Sequence, residues 1–479
     1  MAAKLPESEP TQPRLPEIAP PDLALPDIAP PDIALPDIAL PDIAPPNLSQ
    51  PESPSPSWLP VLKREVWILS AGQLLLFMGQ GVTLVYASIY FVNELGFSPA
   101  QVGLAQGSMG LSGFLGRFWA GNAVDSQRLG RRGTLLLAAA IAAVGSLVLA
   151  FAQTLPLLVL GNLLLGLGTS LYWPATMTVI TDLTAAEQRT DAMALTRLAD
   201  NLGLGLGALI AGQYVATAGS YQVLFMGKSA AYAVFGAIVA LAIAETRPAS
   251  VKSHPLLSAW GEALGDRRLL IYLCANLFFT TYTAQLSTTL PLYLTGIPAS
   301  PFSERAISYF FGGHALLKIL LQLPVLRLLK SVSYASALLV SLGLWSSSFL
   351  LIGLLGIAPW GLWSLIITAF SLIAIAEILY GPSASALVAD MAPAARRGIY
   401  FSLDSECWAI GFLVGPALGG WALNQAQLAS ALAPAHIVQP LQFLLLQGAG
   451  LWLALMASAA IAAVILKQLQ RQLAMSQAQ

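Results

Sequence analysis

The chain has 479 residues, 56% hydrophobic and only 10% charged, with a formal net charge of −1 and a mean hydropathy of +0.70. A water-soluble domain carries about 25% charged residues, so this sequence holds too few to cover a water-facing surface, and its solvent is lipid. The balance of charge offers no field for nucleic acid, and the two cysteines, Cys274 and Cys407, lie in apolar runs without disulfide or metal-ligand spacing, so no cofactor, metal or nucleic-acid partner is expected.

The first 57 residues are set apart. Residues 16–45 are six pentads that begin PEIAP and end PDIAP, with proline at every fifth position. Proline at that spacing blocks helix hydrogen bonding and favours extended polyproline II, so 1–57 reads as a semi-stiff, solvated arm. The arm holds nine acidic and two basic residues, a net −7, which leaves +6 for the rest of the chain. It is open to a cytoplasmic partner or to no essential work at all. No basic start followed by an apolar stretch precedes residue 58, so the first span is expected to act as its own insertion signal.

Twelve apolar runs follow, each near the roughly 20 residues needed to cross a bilayer. They centre on 66–92, 101–124, 134–153, 157–181, 196–217, 222–244, 269–294, 305–328, 334–355, 361–387, 400–422 and 440–466. The expected class is an all-α integral membrane protein. Its expected parts are the tail 1–57, a six-helix half 58–244, a linker 245–268, a second six-helix half 269–467 and a C-terminal tail 468–479. With both ends inside, the inward loops hold Arg128, Arg131, Arg132, Arg189, Arg247, Lys252, Arg267, Arg268, Arg327, Lys330, Arg396, Arg397, Lys467 and Arg471, whereas the outward loops hold essentially Arg305. That asymmetry predicts cytoplasmic termini.

The two halves repeat each other. Shifted by 208 positions, Tyr172, Pro174, Asp182, Arg189, Gly203, Gly207 and Gly212 fall without a gap on Tyr380, Pro382, Asp390, Arg397, Gly411, Gly415 and Gly420. A repeat of this length means two copies of one folding unit. A duplicated set of membrane helices is how many secondary carriers are built, with the substrate near the midplane where the halves meet.

After the second run stands Gly121-Asn122-Ala123-Val124-Asp125-Ser126-Gln127-Arg128-Leu129-Gly130-Arg131-Arg132. A glycine that permits close approach, an acid at a helix end and paired arginines make a latch. The stretch resembles the G-x-x-x-D-x-x-x-x-G-R-R loop of the major facilitator superfamily, matched at Gly121, Asp125, Gly130, Arg131 and Arg132. Ser126 stands where that family often has an arginine. The segment from Asp182 through Arg189 to Gly203, Gly207 and Gly212, the Glu245-Thr246-Arg247-Pro248 motif, and Gly411, Gly415, Pro416 and Gly420 in the eleventh run extend the likeness over roughly 60–470. The resemblance implies a drug/proton-antiporter-like secondary transporter working by alternating access, with a small amphipathic substrate, protons and membrane lipids as partners. A solute importer or facilitator of the same fold, or a non-transporting scaffold that uses the acidic arm, are the alternatives. Two departures bear on coupling: Asn162 stands where proton-coupled exporters carry an arginine four before a glycine, and the glycine-proline signature of the fifth helix falls in the eleventh.

An ionisable group inside a span costs about 2.5–3.5 kcal/mol on insertion scales, so each one marks a candidate site. Glu377 falls mid-span in the tenth run, a helix that the resemblance places on the central cavity, and desolvation of its carboxyl suits reversible protonation. His314 and Lys318, four apart on one face of the eighth run, are open to two readings: pairing with Glu377, or Lys318 snorkelling to the cytoplasmic side with His314 satisfied locally. Arg117 lies too deep in the second run to snorkel. Gln73 and Gln80, with Asn276 and Gln285, give polar handles for a substrate, and Tyr86, Tyr90, Tyr172 and Trp173 give rings for a cationic one. Arg197 and Asp200, expected to satisfy each other, and Asp404 and Glu406 at matching depth read as gate or latch residues.

Overall fold

The computed structural model describes residues 62–185, 188–218, 220–246, 260–261, 263–296, 302–328, 332–356, 361–393, 397–432 and 449–477. The pentad arm lies outside them, as do the side chains of Gly121, Asn122, Asp125 and Arg397. Among the described residues the long elements are all helices, and each of the twelve expected spans falls on one, with 440–448 of the last span outside the described residues.

The first half consists of α1 (Arg64–Ile89, continued by a π turn over Tyr90–Glu94), α2 (Pro99–Asp125), α3 (Gly130–Ala150), α4 (Leu155–Leu183), α5 (Arg189–Ala218) and α6 (Tyr221–Ala242). The second consists of α7 (Arg267–Gln285) with its short continuation α8 (Thr289–Thr295), α9 (Glu304–Leu328), α10 (Tyr334–Leu354), α11 (Leu362–Met391), α12 (Arg397–Leu432) and α13 (Ala449–Gln477). Local sequence sets these ends. Ser98 accepts from Gln101 N while Gln101 Oε1 accepts from Ser98 N, a reciprocal cap with Pro99 in the first turn of α2. Asp266 caps α7 by accepting from Arg268 N at 2.9 Å. Helix α13 runs to Gln477, so the segment expected as a tail from 468 is helical for most of its length.

Among the described residues nine helical segments are long and apolar enough to cross a membrane. The remaining three long helices, α2, α5 and α9, carry the polar and glycine-rich faces that bring the halves together. α2 packs along α12 and α5 along α9, while α1 packs on α5 and α6, and α7 on α12 and α13.

The repeat is physical. A Cβ on Gly207 would collide with the Met78 carbonyl of α1, and one on Gly415 would press Ala284 of α7. Gly212 meets Ser308 of α9 just as Gly420 meets Pro99 and Gly103 of α2. Each glycine lets one backbone reach another where lipid supplies no hydrophobic force and close packing must hold the bundle.

Hydrogen bonds between the halves concentrate on the face opposite the start of α1 and the end of α13. Ser88 Oγ donates to Ser287 O at 3.3 Å, Gln106 Nε2 donates to Ser88 Oγ at 2.9 Å, and Thr288 bonds Gln106, all where the seventh span breaks between α7 and α8. Tyr86 donates to Glu304 O at 3.0 Å, Tyr221 bonds the Glu304 carboxylate, and Gln213 Nε2 donates to Tyr309 at 2.9 Å. Tyr86 and Tyr90, expected as rings along a cavity, are instead packed with Tyr221 in this seal.

Candidate functional site

In the second half α9 and α11 bring three charges together. His314 and Lys318 are one turn apart on α9, and both face Glu377 of α11: Lys318 Nζ lies 2.9 Å and His314 Nε2 3.3 Å from the same carboxylate oxygen. The side chains keep only 11%, 23% and 12% exposure for His314, Lys318 and Glu377. Lys318 supplies a counter-charge, so Glu377 is not the isolated acid that burial alone suggests. Such a cluster can exchange protons among its members or offer Lys318 to an anion when Glu377 is protonated.

One layer towards α12, Asp404 accepts from Tyr272 Oη at 2.6 Å and from Asn276 Nδ2 at 2.8 Å, and Asn276 Oδ1 in turn accepts from Tyr380 at 2.6 Å. Asn276, expected as a substrate handle, is therefore committed to a carboxylate. Gln285 is committed as well, donating to Gly415 O at 3.0 Å and accepting from Thr289. Gln80 stands half-buried on α1, and Gln73 is fully buried.

Arg117 of α2 reaches across to Glu406 of α12, with Nη1 3.6 Å from Oε2. Arg117 thus joins the halves with a partner the sequence assigned to a different role. No ion pair joins Arg197 to Asp200 among the described residues: Arg197 points outward, whereas Asp200 is buried beside Gln73 of α1 and near Tyr172 of α4. Residues three apart on a helix share a broad face, and burial of only one of them separates the pair.

The loop after α2 makes a latch within its own half. Gly130 takes a left-handed φ of 64°, which brings the start of α3 under the Glu245 carboxylate. That carboxylate accepts from Arg131 N at 3.0 Å and Arg132 N at 3.2 Å, capping the positive end of the helix. The Arg131 guanidinium pairs with Asp182 at the end of α4 and donates to Thr246 O at 3.1 Å, and Thr246 Oγ1 donates to Asp182 at 2.7 Å. Arg132 bonds Ala240 O. Ser126, standing where the family often has arginine, accepts from Arg128 N at 3.1 Å and shapes the turn.

Sequence reasoning passed over Lys228. It is buried in α6, and its Nζ donates to Thr83 Oγ1 of α1 at 2.7 Å. A lysine inside an apolar run was signal enough to find it. Tyr272, four residues before Asn276 on one face of α7, was equally visible.

The profile of the Major Facilitator Superfamily matches residues 69–300. The chain is 26% identical over 369 residues to Multidrug resistance protein MdtH of Citrobacter koseri, covering 75% of this chain and 87% of that protein. It is 27% identical over 369 residues, with the same coverage, to the protein of that name from Salmonella typhimurium. Its fold is similar to that of the nucleoside transporter NupG, with a TM-score of 0.69 and 15% identity over 85% of this chain and 99% of that one. It is similar also to a structure titled for substrate recognition in proton dependent oligopeptide transporters, with a TM-score of 0.65 and 17% identity over 85% and 99%. Fold and site define a multi-pass membrane transporter. The match to the major facilitator superfamily covers just under half of the chain, and the likeness to the MdtH proteins extends over three quarters of it.

Proposed function

We propose that the chain is a proton-coupled exporter of small amphipathic organic solutes that works by alternating access. The observation that carries the reading is the buried Glu377, held by Lys318 and His314 between α9 and α11. It is an acid whose protonation would release a lysine and change the charge that a substrate meets. The printed name of the MdtH relatives, multidrug resistance protein, supports export of varied organics. A seal between halves on one face supports a carrier that opens to one side at a time. The arginines of the loops favour placing the termini, and the Arg131 latch, in the cytoplasm.

Accumulation of a fluorescent cationic dye in cells tests the reading, with the intact chain and with Glu377→Gln, each with and without a protonophore. The expected result is low accumulation only for the intact chain in energised cells. Equal accumulation in all four conditions refutes export, and higher accumulation with the intact chain turns the reading to import.

A further inference from the structure

Each half buries a carboxylate beside an amide and a tyrosine on the equivalent helices, although the 208-position shift sets Asp200 on Trp408, one turn past Asp404. In the second half these are Asp404 of α12, Asn276 of α7 and Tyr380 of α11; in the first they are Asp200 of α5, Gln73 of α1 and Tyr172 of α4, where Tyr172 is the repeat partner of Tyr380. The two sets differ in their bonding. Asp404 receives two hydrogen bonds, from Tyr272 and Asn276, as an ionised carboxylate requires. In the first half both polar atoms of the Gln73 amide, Asp200 Oδ1, Tyr172 Oη, Thr176 Oγ1 and Tyr232 Oη are buried without a hydrogen-bond partner. A charged carboxylate abandoned by its neighbours in lipid-depth packing is costly, whereas a neutral one is tolerated.

We infer that Asp200 is a proton-binding site of the first half, seen here in its protonated arrangement, and that Asp404, one turn away in the repeat, displays the arrangement of a deprotonated carboxylate with an amide and a tyrosine as donors. Asp200 takes one proton from water and goes from charge −1 to 0; on losing it, the carboxylate draws in the Gln73 amide and the Tyr172 hydroxyl as donors, as Asp404 holds Asn276 and Tyr272. The move pulls α1 and α4 against α5, the helix that meets the second half through α9. The groups facing Asp200 are few. Arg197, one turn earlier on α5, is exposed but its charge still acts on Asp200, Tyr172 comes from α4 with Tyr232 of α6 behind it, and the neutral Gln73 amide of α1 lies beside the carboxylate. The ionisable residues of α9, which also packs on α5, include Lys318 and His314, both turned to Glu377.

The inference deepens the proposed proton coupling, but its test reads protonation itself, so a chain that moves no dye still tests it. Infrared difference spectra of the purified protein over a pH titration report the C=O band of buried protonated carboxyl groups. At neutral pH the wild-type chain is expected to show such a band, Asp200→Asn to lose it, and Asp404→Asn and Glu377→Gln to keep it. Tyr172→Phe and Gln73→Leu, which leave Asp200 in place, are expected to shift the band's frequency. A band unchanged in Asp200→Asn overturns the proposal. If that variant does not fold, a frequency unmoved by both neighbour substitutions overturns it.

Discussion

The two halves share their glycines and differ in their buried charges. Gly207 against Met78 and Gly415 against Ala284 repeat one packing solution, because glycine at the same repeat position lets α5 approach α1 and α12 approach α7. The loop charges Asp182 and Arg189 recur at Asp390 and Arg397, but those buried within the spans follow no such repeat. The second half gathers Glu377 with Lys318 and His314, whereas the first buries Asp200 and Lys228 apart from each other and without an ion pair among the described residues. Symmetry therefore belongs to the scaffold, and chemistry to its departures from symmetry.

The largest way to break this contrast is Glu377→Gln. Removing one member of a buried pair leaves Lys318 uncompensated, and the cost is about 3 kcal/mol, the low end for such pairs because Lys318 keeps some exposure. Thermal unfolding in detergent should show the loss, and adding Lys318→Met should recover most of the stability while dye transport stays at background. Recovery of transport by the double variant would show that the cluster is structural.

Next in size come the shared glycines. Gly207→Val and Gly415→Val are each expected to lose about 1–3 kcal/mol, and the former more, since its new methyls meet a backbone carbonyl that has no room to yield. Equal melting temperatures for both variants and the wild type would contradict the account of the repeat.

A smaller effect is expected at the junction. Arg117→Gln should weaken the contact between halves by about 1 kcal/mol, since 3.6 Å brings the charges close without a well-aligned bond and Glu406, left without its partner, can neutralise by taking up a proton. A double-mutant cycle with Glu406→Gln measures the coupling; zero coupling would remove the pair from the junction.

The smallest is Lys228→Met. Its partner is a neutral hydroxyl, so an apolar side chain of similar length should leave the melting temperature level or raise it by the equivalent of about 1 kcal/mol. A marked drop in stability would mean that Lys228 meets more than Thr83.

The fold was legible because lipid leaves few options: apolar runs become helices, and the 208-residue repeat sets the halves. The latch was legible in its residues but not in its wiring, since Glu245 and Asp182 reach Arg131 from helix ends far along the chain. The meeting of His314, Lys318 and Glu377 was one of two readings that helical spacing left open, and the depth of α9 against α11 decided it over snorkelling of Lys318. Arg117 with Glu406, and Asn276 with Asp404, did not follow from spacing. Both depend on how one helix is rotated against another, which close-packed small residues decide and periodicity does not. Arg197 and Asp200 failed as a pair for the same reason.

The most direct test of the proposed coupling uses purified protein in liposomes loaded with a dye and a pH indicator, without an imposed gradient. The account predicts that dye leaving through the intact chain drives protons the opposite way, and that Glu377→Gln abolishes the proton movement. Dye flux that leaves the lumen pH unchanged would contradict it.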